Sequence, residues 1–488
     1  MVCARKTPSS ILCHISDNES ADMTRNHAPF LADLAAAYER HAPQSAALNE
    51  RALHYLIDGG SHSVRLKEPF PPRIVSARGA WLQDEDGHHI LDFWQGHLAN
   101  ILGHNPQVVT SVLADAFQNR HGLQLGMTDR LQVEAAEIIC RQTGQERVRF
   151  TTSGSLATMY AILLARAFTG RNLVLKVGGG WHGAQPWGLK GVRYKTGDSG
   201  GYQHTESAGI PATVTDEVLV TRYNDSDQLR DQFARHGDRI SCFLVEPFIG
   251  GGGLMPAAPE FLQTARELTH QCGALLIHDE VISGFRFRAG DVSALYGVKP
   301  DLLTLGKIIG GGMPVAAVAG RMDIMELAGR EKGNQVKFFG GTYSGHTSSF
   351  IAAKAMLTHL VQHEKEIYPA LSENGERMRQ IVVAAFKEQG IYACCTGGGN
   401  EVVPGSSLWM VHFPHREDVR LDTPEKVFDP AVCDTVLNHQ VMDLGLLLEN
   451  VHVMGGHGAI SVAHTEKDLE VFNQACRSLA HRVCQYLK

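Results

Sequence analysis

Between about residue 105 and residue 346, short apolar runs alternate with stretches of helical period, and few architectures accept that order. The runs are Val148–Thr151, Leu173–Val177, Val218–Thr221, Cys242–Glu246, Ala274–Ile277, Leu302–Leu305 and Val315–Val318. Each is continuous rather than alternating, which suits strands covered on both faces. Between them, Val108–Phe117, Leu131–Cys140 and the segment from Ser153 to about Phe168 carry apolar residues at helical spacing. Asn224 or Asp225 is placed to cap another helix, and Pro259 and Gly273 open and close a further one. This alternation predicts an α/β domain with a mostly parallel sheet between helices.

The flanks read differently. At 488 residues the chain exceeds the roughly 250–300 that one hydrophobic core serves, so a second domain is expected. Residues 1–28 are polar and without period, a disordered or draped arm. Residues 29–100 start with helical spacing from Phe30 to Leu56 and continue as strands at Arg73–Ser76, Ala80–Gln83 and His89–Phe93, with Asp86-Gly87 as a hairpin turn. This segment is expected to pack with the C-terminal part. Residues 101–346 form the large domain and residues 347–488 a smaller α+β domain. The latter has helices at 347–362 and 370–388, short strands near 407–413 and 457–463, and a last helix from Thr465, where Asp468 completes a capping box.

Composition narrows the function. A net charge of −7 and no basic block argue against a nucleic-acid partner or a charged membrane surface. No apolar stretch reaches the roughly 18 residues of a spanning helix, and the first residues lack a signal-type apolar core. Ten cysteines without metal-ligand spacing fit a reduced, cytoplasmic chain. Of the 25 histidines, the densest group is His88, His89, His97 and His104, and its spacing does not put two ligands on one helix face. No metal is expected.

Polar residues gather at the carboxyl ends of the expected strands, where open α/β sheets bind ligands. Ser153-Gly154-Ser155 joins a strand to a helix; it is either an ordinary cap or an anion site of the kind that takes phosphate. Trp181-His182-Gly183 follows a strand and a triple glycine; Trp181 either fills the core or lies against a flat ring. Asp279 follows an apolar strand, as a turn residue or as the partner of a ring cation. Lys307 follows Leu302–Leu305 and Gly306. A lysine there either caps the strand edge in water or is desolvated, and then has a lowered pKa and serves as a nucleophilic amine. Phosphate cradle, aromatic stacker, acid and lysine together are what pyridoxal 5′-phosphate (PLP) needs: a lysine Schiff base and an acid for the pyridine nitrogen.

The stretches Leu275-Leu276-Ile277-His278-Asp279-Glu280-Val281-Ile282-Ser283-Gly284-Phe285-Arg286 and Asp301 to Gly312 make the likeness specific. From about Glu50 to the C-terminus the sequence resembles the class III, fold-type I PLP-dependent aminotransferases, and within them the glutamate-1-semialdehyde aminomutase-like branch. The resemblance implies Lys307 and Asp279 as catalytic residues. It implies Ser153, Gly154 and Ser155 at the phosphate, with Trp181, His182 and Val281 at the ring. Thr342, in Gly341-Thr342, would reach the phosphate of a neighbouring subunit, which implies a homodimer with shared active sites. Arg65 would take a substrate carboxylate, and His97 stands on the substrate side where the aminomutases have tryptophan.

Other positions depart from that branch. Leu156 replaces a glutamate after the phosphate turn, His346-Thr347 replaces Asn-Pro, and Gly455-Gly456-His457-Gly458 lacks the gating glutamate of true aminomutases. The expected function is therefore transfer of an amino group from an amino acid or amine to a keto or aldehyde acceptor, through a Lys307 Schiff base and pyridoxamine phosphate. The alternative on the same fold is a glutamate-1-semialdehyde-type aminomutase or an amino acid racemase.

Overall fold

Seven strands build the central sheet, in the order Arg147–Thr151, Ala316–Gly320, Leu302–Leu305, Leu275–Glu280, Ile240–Val245, Leu173–Val177, Val218–Thr221. The computed structural model describes residues 25–196 and 201–487. Six of these strands run in one direction, and Ala316–Gly320 alone is antiparallel to both neighbours. The central strands are buried along their whole length, as their unbroken apolar runs require. Helix Gly154–Thr169 packs on one side of the sheet, and Thr347–Gln362 packs against helices Gln107–Gln118 and Arg130–Thr143.

One strand is longer than hydrophobicity alone indicates. The run Ala274–Ile277 continues through His278, Asp279 and Glu280, all buried and paired in register with Leu303, Thr304 and Leu305. Burial of these polar groups is tolerated because each has a partner. His278 Nδ1 meets Ser293 Oγ at 2.6 Å, and the Glu280 carboxylate accepts from the amides of Val292 (2.7 Å) and Ser293 (2.9 Å).

Outside this sheet, helices Ala28–His41 and Pro43–Leu53 lead into a hairpin sheet of Ile74–Arg78, Trp81–Asp84 and His89–Asp92. Val451–His452 adds to that sheet parallel to His89–Asp92, which sets His452 opposite Asp92. Phe30, Leu34 and Tyr38 share one apolar cluster with Leu444, Leu446 and Phe472, so the chain's two ends share a core. Trp409, on strand Leu408–His412, meets Phe93 and Phe472 at ring-centroid distances of 6.3 and 5.3 Å. Helix Glu364–Lys387 begins before the expected residue 370 and carries Pro369 inside it. Asp225, rather than Asn224, caps the helix Ser226–His236 by accepting from Gln228 N, while Asn224 Oδ1 receives Ala258 N. The Thr465–Asp468 capping box is present.

Residues 1–24 of the expected N-terminal arm lie outside the described residues. Just after them, Arg25 and His27 both reach Asp434, at 3.5 and 2.7 Å. The described parts of the stretch 184–214 are mostly irregular, pinned by a bridge between Lys190 and Thr205 and by Lys190 Nζ donating to Thr215 O and Val218 O. Among the described residues no helix is long and apolar enough to cross a membrane, and no cluster of metal-ligating side chains occurs.

Candidate active site

A cavity of about 560 Å³ opens at the carboxyl ends of the parallel strands. Arg65, His97, Ser153, Gly154, Ser155, Trp181, His182, Asp279, Val281 and Lys307, drawn from across the sequence, all line it. Thr342 does not: it is exposed on the surface, where its carbonyl accepts from Gln124 Nε2 at 2.8 Å.

Each wall has a local cause. Helix Gly154–Thr169 points its N-terminus into the cavity, and Ser153 Oγ accepts from Leu156 N at 3.3 Å. The remaining first-turn amides are free for an anion. Glycine is required beside this turn. At Gly183 φ is +81°, and a Cβ there would stand 2.3 Å from Ser155 Oγ. A Cβ on Gly154 would stand 2.9 Å from a Val281 methyl. Backbone therefore closely lines this part of the cavity, where Val281 packs against Gly154 and the partly exposed Trp181 is also in the lining.

Asp279 is held from three directions. Its Oδ2 meets His182 Nδ1 at 2.8 Å, and its Oδ1 accepts from Thr304 Oγ1 at 2.8 Å and Val281 N at 3.1 Å. Burial lowers the His182 pKa, against the pull of Asp279. The imidazole is thus neutral, with its N–H on the carboxylate, and its Nε2 is buried without a partner among the described residues.

Lys307 opens a short helical turn, Lys307–Gly310, directly after its strand. Its φ is +46°, a left-handed conformation that costs a lysine on the order of 1–3 kcal/mol. The turn carries the amine into the cavity. Enclosure lowers its pKa to about 8, with Asp279 and Glu246 pulling the other way. Below that value the amine holds a proton; above it, the amine is neutral. A half-reaction that uses Lys307 as a base should therefore gain rate about tenfold per pH unit up to about pH 8 and level off above it. A stopped-flow pH series checks this; a flat profile from pH 6 to 9 contradicts it.

Three features escaped the sequence reading. Glu246, at the end of strand Ile240–Val245, lines the cavity and accepts from Trp181 N and Gly250 N, both at 2.9 Å; burial and the nearby Asp279 push its pKa up. Its place at a strand end was the available signal. Beside the Trp181 loop, Lys176 donates, among the described residues, to the carbonyls of Gly180 and Lys190, and burial lowers its pKa to about 7 against the pull of Glu246. The third is a turn, Gln95-Gly96-His97-Leu98, in which all four residues have positive φ (45°, 60°, 68° and 61°). It holds the His97 ring beside Trp94 (4.6 Å) and His62 (5.3 Å). Arg286, itself buried, pins the turn by donating to Leu98 O.

Residues 64–391, more than half of the chain, match the class-III aminotransferase family. The chain belongs to this family. A glutamate-1-semialdehyde 2,1-aminomutase of Laribacter hongkongensis is 34% identical over 449 residues, covering 89% of this chain and 99% of that one. Among solved structures, an omega-transaminase from Sphaerobacter thermophilus superposes with a TM-score of 0.81 at 29% identity, over 90% of this chain and 97% of its own. A β-phenylalanine aminotransferase from Variovorax paradoxus superposes at 0.78 and 31% identity, over 92% and 96%. The fold is thus the fold-type I PLP transferase with its large α/β part, in the aminomutase-like branch of class III. The family's cofactor is PLP, and a transaminase 28% identical to this chain is solved with PLP bound. The cavity fits that group: a free helix N-terminus for the phosphate, a glycine-lined floor for the ring, a fixed carboxylate and an amine of lowered pKa.

Proposed function

We propose that the protein is an aminotransferase that moves an amino group from a carboxylated amino compound to a keto or aldehyde acceptor. The observation that carries this reading is the distribution of charge in the cavity. Among the described residues that line it, the carboxylates are Asp279, on strand Leu275–Glu280, and Glu246, just past strand Ile240–Val245, while the cation Arg65 lines it together with His62 and with His97, which burial keeps neutral. Arg65 has no ion-pair partner among the described residues, so its guanidinium is free to take a carboxylate in fork geometry. The loop Met454–His457 closes on itself through backbone pairing and offers no acid to retain an intermediate for the second half of a mutase reaction.

In this reading PLP, when bound, supplies the electron sink that lets a proton leave the amino-bearing carbon. The amides after Ser153, with the hydroxyls of Ser153 and Ser155, bind its phosphate. Trp181 and Val281 enclose the two faces of its ring. Asp279 holds a proton on the ring nitrogen, and His182 and Thr304 keep that carboxylate oriented. Lys307 would anchor the cofactor, and its amine, where free, would accept and return the proton at the amino-bearing carbon. The surface position of Thr342 supports a homodimer in which it reaches the partner's phosphate.

The second reading is a glutamate-1-semialdehyde-type aminomutase, favoured by the name of the Laribacter hongkongensis relative. Adding one amino compound at a time, with no keto acid present, separates the two. A lasting loss of the cofactor's yellow colour with one equivalent of carbonyl product is the expected result. Return of the colour together with an isomer of the added compound would establish the mutase instead.

A further inference from the structure

The peptide that joins Gly180 to Trp181 is held at both edges by buried side chains. Lys176 Nζ donates to Gly180 O at 3.1 Å, and Glu246 Oε1 accepts from Trp181 N at 2.9 Å. In a trans peptide the C=O and the N–H point in opposite directions, so the two side chains stand on opposite sides of one rigid plane. Both come from paired strands of the central sheet: Lys176 lies within Leu173–Val177, and Glu246 just past Ile240–Val245. Lys176 is fully buried and Glu246 is 2% exposed. Each has a second bond. Lys176 also donates to Lys190 O at 2.8 Å, and Glu246 Oε2 accepts from Gly250 N at 2.9 Å. A lysine inside an otherwise apolar, fully buried strand is costly, and an aliphatic residue would suit that strand better. What the lysine gives in return is its hold on these two carbonyls.

Trp181 is the residue that benefits. It is 41% exposed, so enclosure does not fix its side chain, and Gly178-Gly179-Gly180 before it offers no side chains for packing. On its other flank, His182 is tied at its ring to Asp279 (2.8 Å) and at its carbonyl to Thr158 Oγ1 (2.6 Å). With the backbone fixed on both sides, the indole keeps only its own rotamers. We infer that Lys176 and Glu246 are positioning residues that fix the peptide before Trp181 and so aim its indole at the face of the cofactor ring. The inference rests on the reading above in which Trp181 encloses one face of that ring. Lys176 donates as an ammonium or as an amine, so its hold does not depend on its charge. Glu246 is harder to replace. Each of its oxygens serves a different amide, whereas glutamine has one oxygen and would turn an NH₂ against the other N–H. The stretch around Lys190 has its own anchor, since Lys190 Nζ donates to Thr215 O and Val218 O. Loss of the Lys176 amine should therefore fall on Trp181 rather than on that stretch.

The test is a double-mutant cycle on the full chain, freed of cofactor and titrated with pyridoxamine phosphate by equilibrium dialysis. That ligand makes no covalent bond to Lys307, so its affinity reports how the ring is enclosed. Trp181→Ala should weaken binding about tenfold, the upper end of what one aromatic contact contributes. Lys176→Met, which keeps the length of the side chain and removes the donor, should weaken it about fivefold by misplacing that same contact. The double variant should bind within about twofold of Trp181→Ala alone, because a residue that acts through another has nothing left to act on. A loss of about fiftyfold, the product of the two, would mean that Lys176 serves the fold or the cofactor independently of Trp181, and would overturn the inference. Unchanged affinity in Lys176→Met would overturn it as well. If Trp181→Ala binds like the parent, the indole does not enclose the ring, and that assignment falls together with the inference, while the bleaching experiment on the amino donor still decides the reaction type. If Lys176→Met does not fold, the same cycle with Glu246→Gln decides by the same criterion, since it preserves size and withdraws one of the two acceptors.

Discussion

Lys307→Ala should leave a folded protein that binds PLP but turns over at least a thousandfold more slowly. The amine combines two roles in the proposed reaction, anchoring the cofactor and moving the proton, and general acid–base catalysis alone contributes about 10²–10⁴. The geometry supports both roles. Lys307 stands at the end of strand Leu302–Leu305, in a left-handed turn that a lysine adopts only when its surroundings impose it. Removing the side chain relieves that backbone less than glycine would but leaves the apolar strand and its register untouched. Stability should accordingly change little, and a thermal midpoint within a few degrees of the parent is expected. The direct readout is attachment. After borohydride reduction, peptide mapping of the parent should find the cofactor on the Lys307 peptide, and the variant should release all of it on denaturation. A variant that keeps full turnover, or a parent whose cofactor maps to Lys176, would remove Lys307 from the mechanism. Lys176 is the informative comparison, since its pKa is also lowered, to about 7, but its amine is already committed to two carbonyls.

How much of this was readable from the chain follows from the range of each interaction. The parallel strands were readable because burial on both faces leaves an unbroken apolar run, and four such residues between turn signals are a local pattern. The direction of Ala316–Gly320 was not, because an apolar run carries no mark of whether it pairs parallel or antiparallel. The end of strand Leu275–Glu280 was misplaced by three residues for a related reason. Its polar tail is buried because residues distant in sequence supply partners: Ser293 and the amides near it for His278 and Glu280, and His182 and Thr304 for Asp279. Ser153, Trp181, Asp279 and Lys307, which all line the cavity, stood out in the sequence because chemistry of that kind is out of place beside apolar runs. Glu246 stands in the same kind of place, but as one acid after one strand it had no companion motif to single it out. The left-handed turn at 95–98 and the Asp92–His104–His452 group were hidden altogether. The turn is pinned by Arg286, 188 residues further along the chain, and the group depends on His452 being brought 2.7 Å from Asp92 by strand pairing across 360 residues of sequence.

Asp279→Asn tests the other half of the proposed chemistry, and it should lower kcat by roughly 10²–10³, the usual loss when one preorganised charge is removed from the site of developing charge. The substitution keeps size and shape, so it isolates charge. An opposite charge within a few ångströms favours the charged form of its partner by roughly one to three pKa units. The carboxylate of Asp279 would therefore keep a ring nitrogen protonated at neutral pH, whereas an amide cannot. The hydrogen-bond network predicts a second consequence. His182 now puts its N–H on Asp279 Oδ2, and Thr304 and Val281 occupy Oδ1. Asparagine must offer its oxygen to one pair of donors and turn an NH₂ toward the other. The least costly arrangement faces the amide nitrogen toward His182, which then accepts at Nδ1 and carries its proton on Nε2, the atom that has no partner among the described residues. Because Lys307 is untouched, the cofactor should remain attached, and the loss should fall on kcat with KM changed by no more than a few fold. The pH dependence of the bound cofactor's absorption should also change, since the group that holds the ring proton is gone. His182→Asn, which removes the orienting imidazole but not the charge, should cost less than Asp279→Asn. If His182→Asn is the more damaging of the two, the imidazole rather than the carboxylate holds the proton, and the roles assigned to the pair must be exchanged.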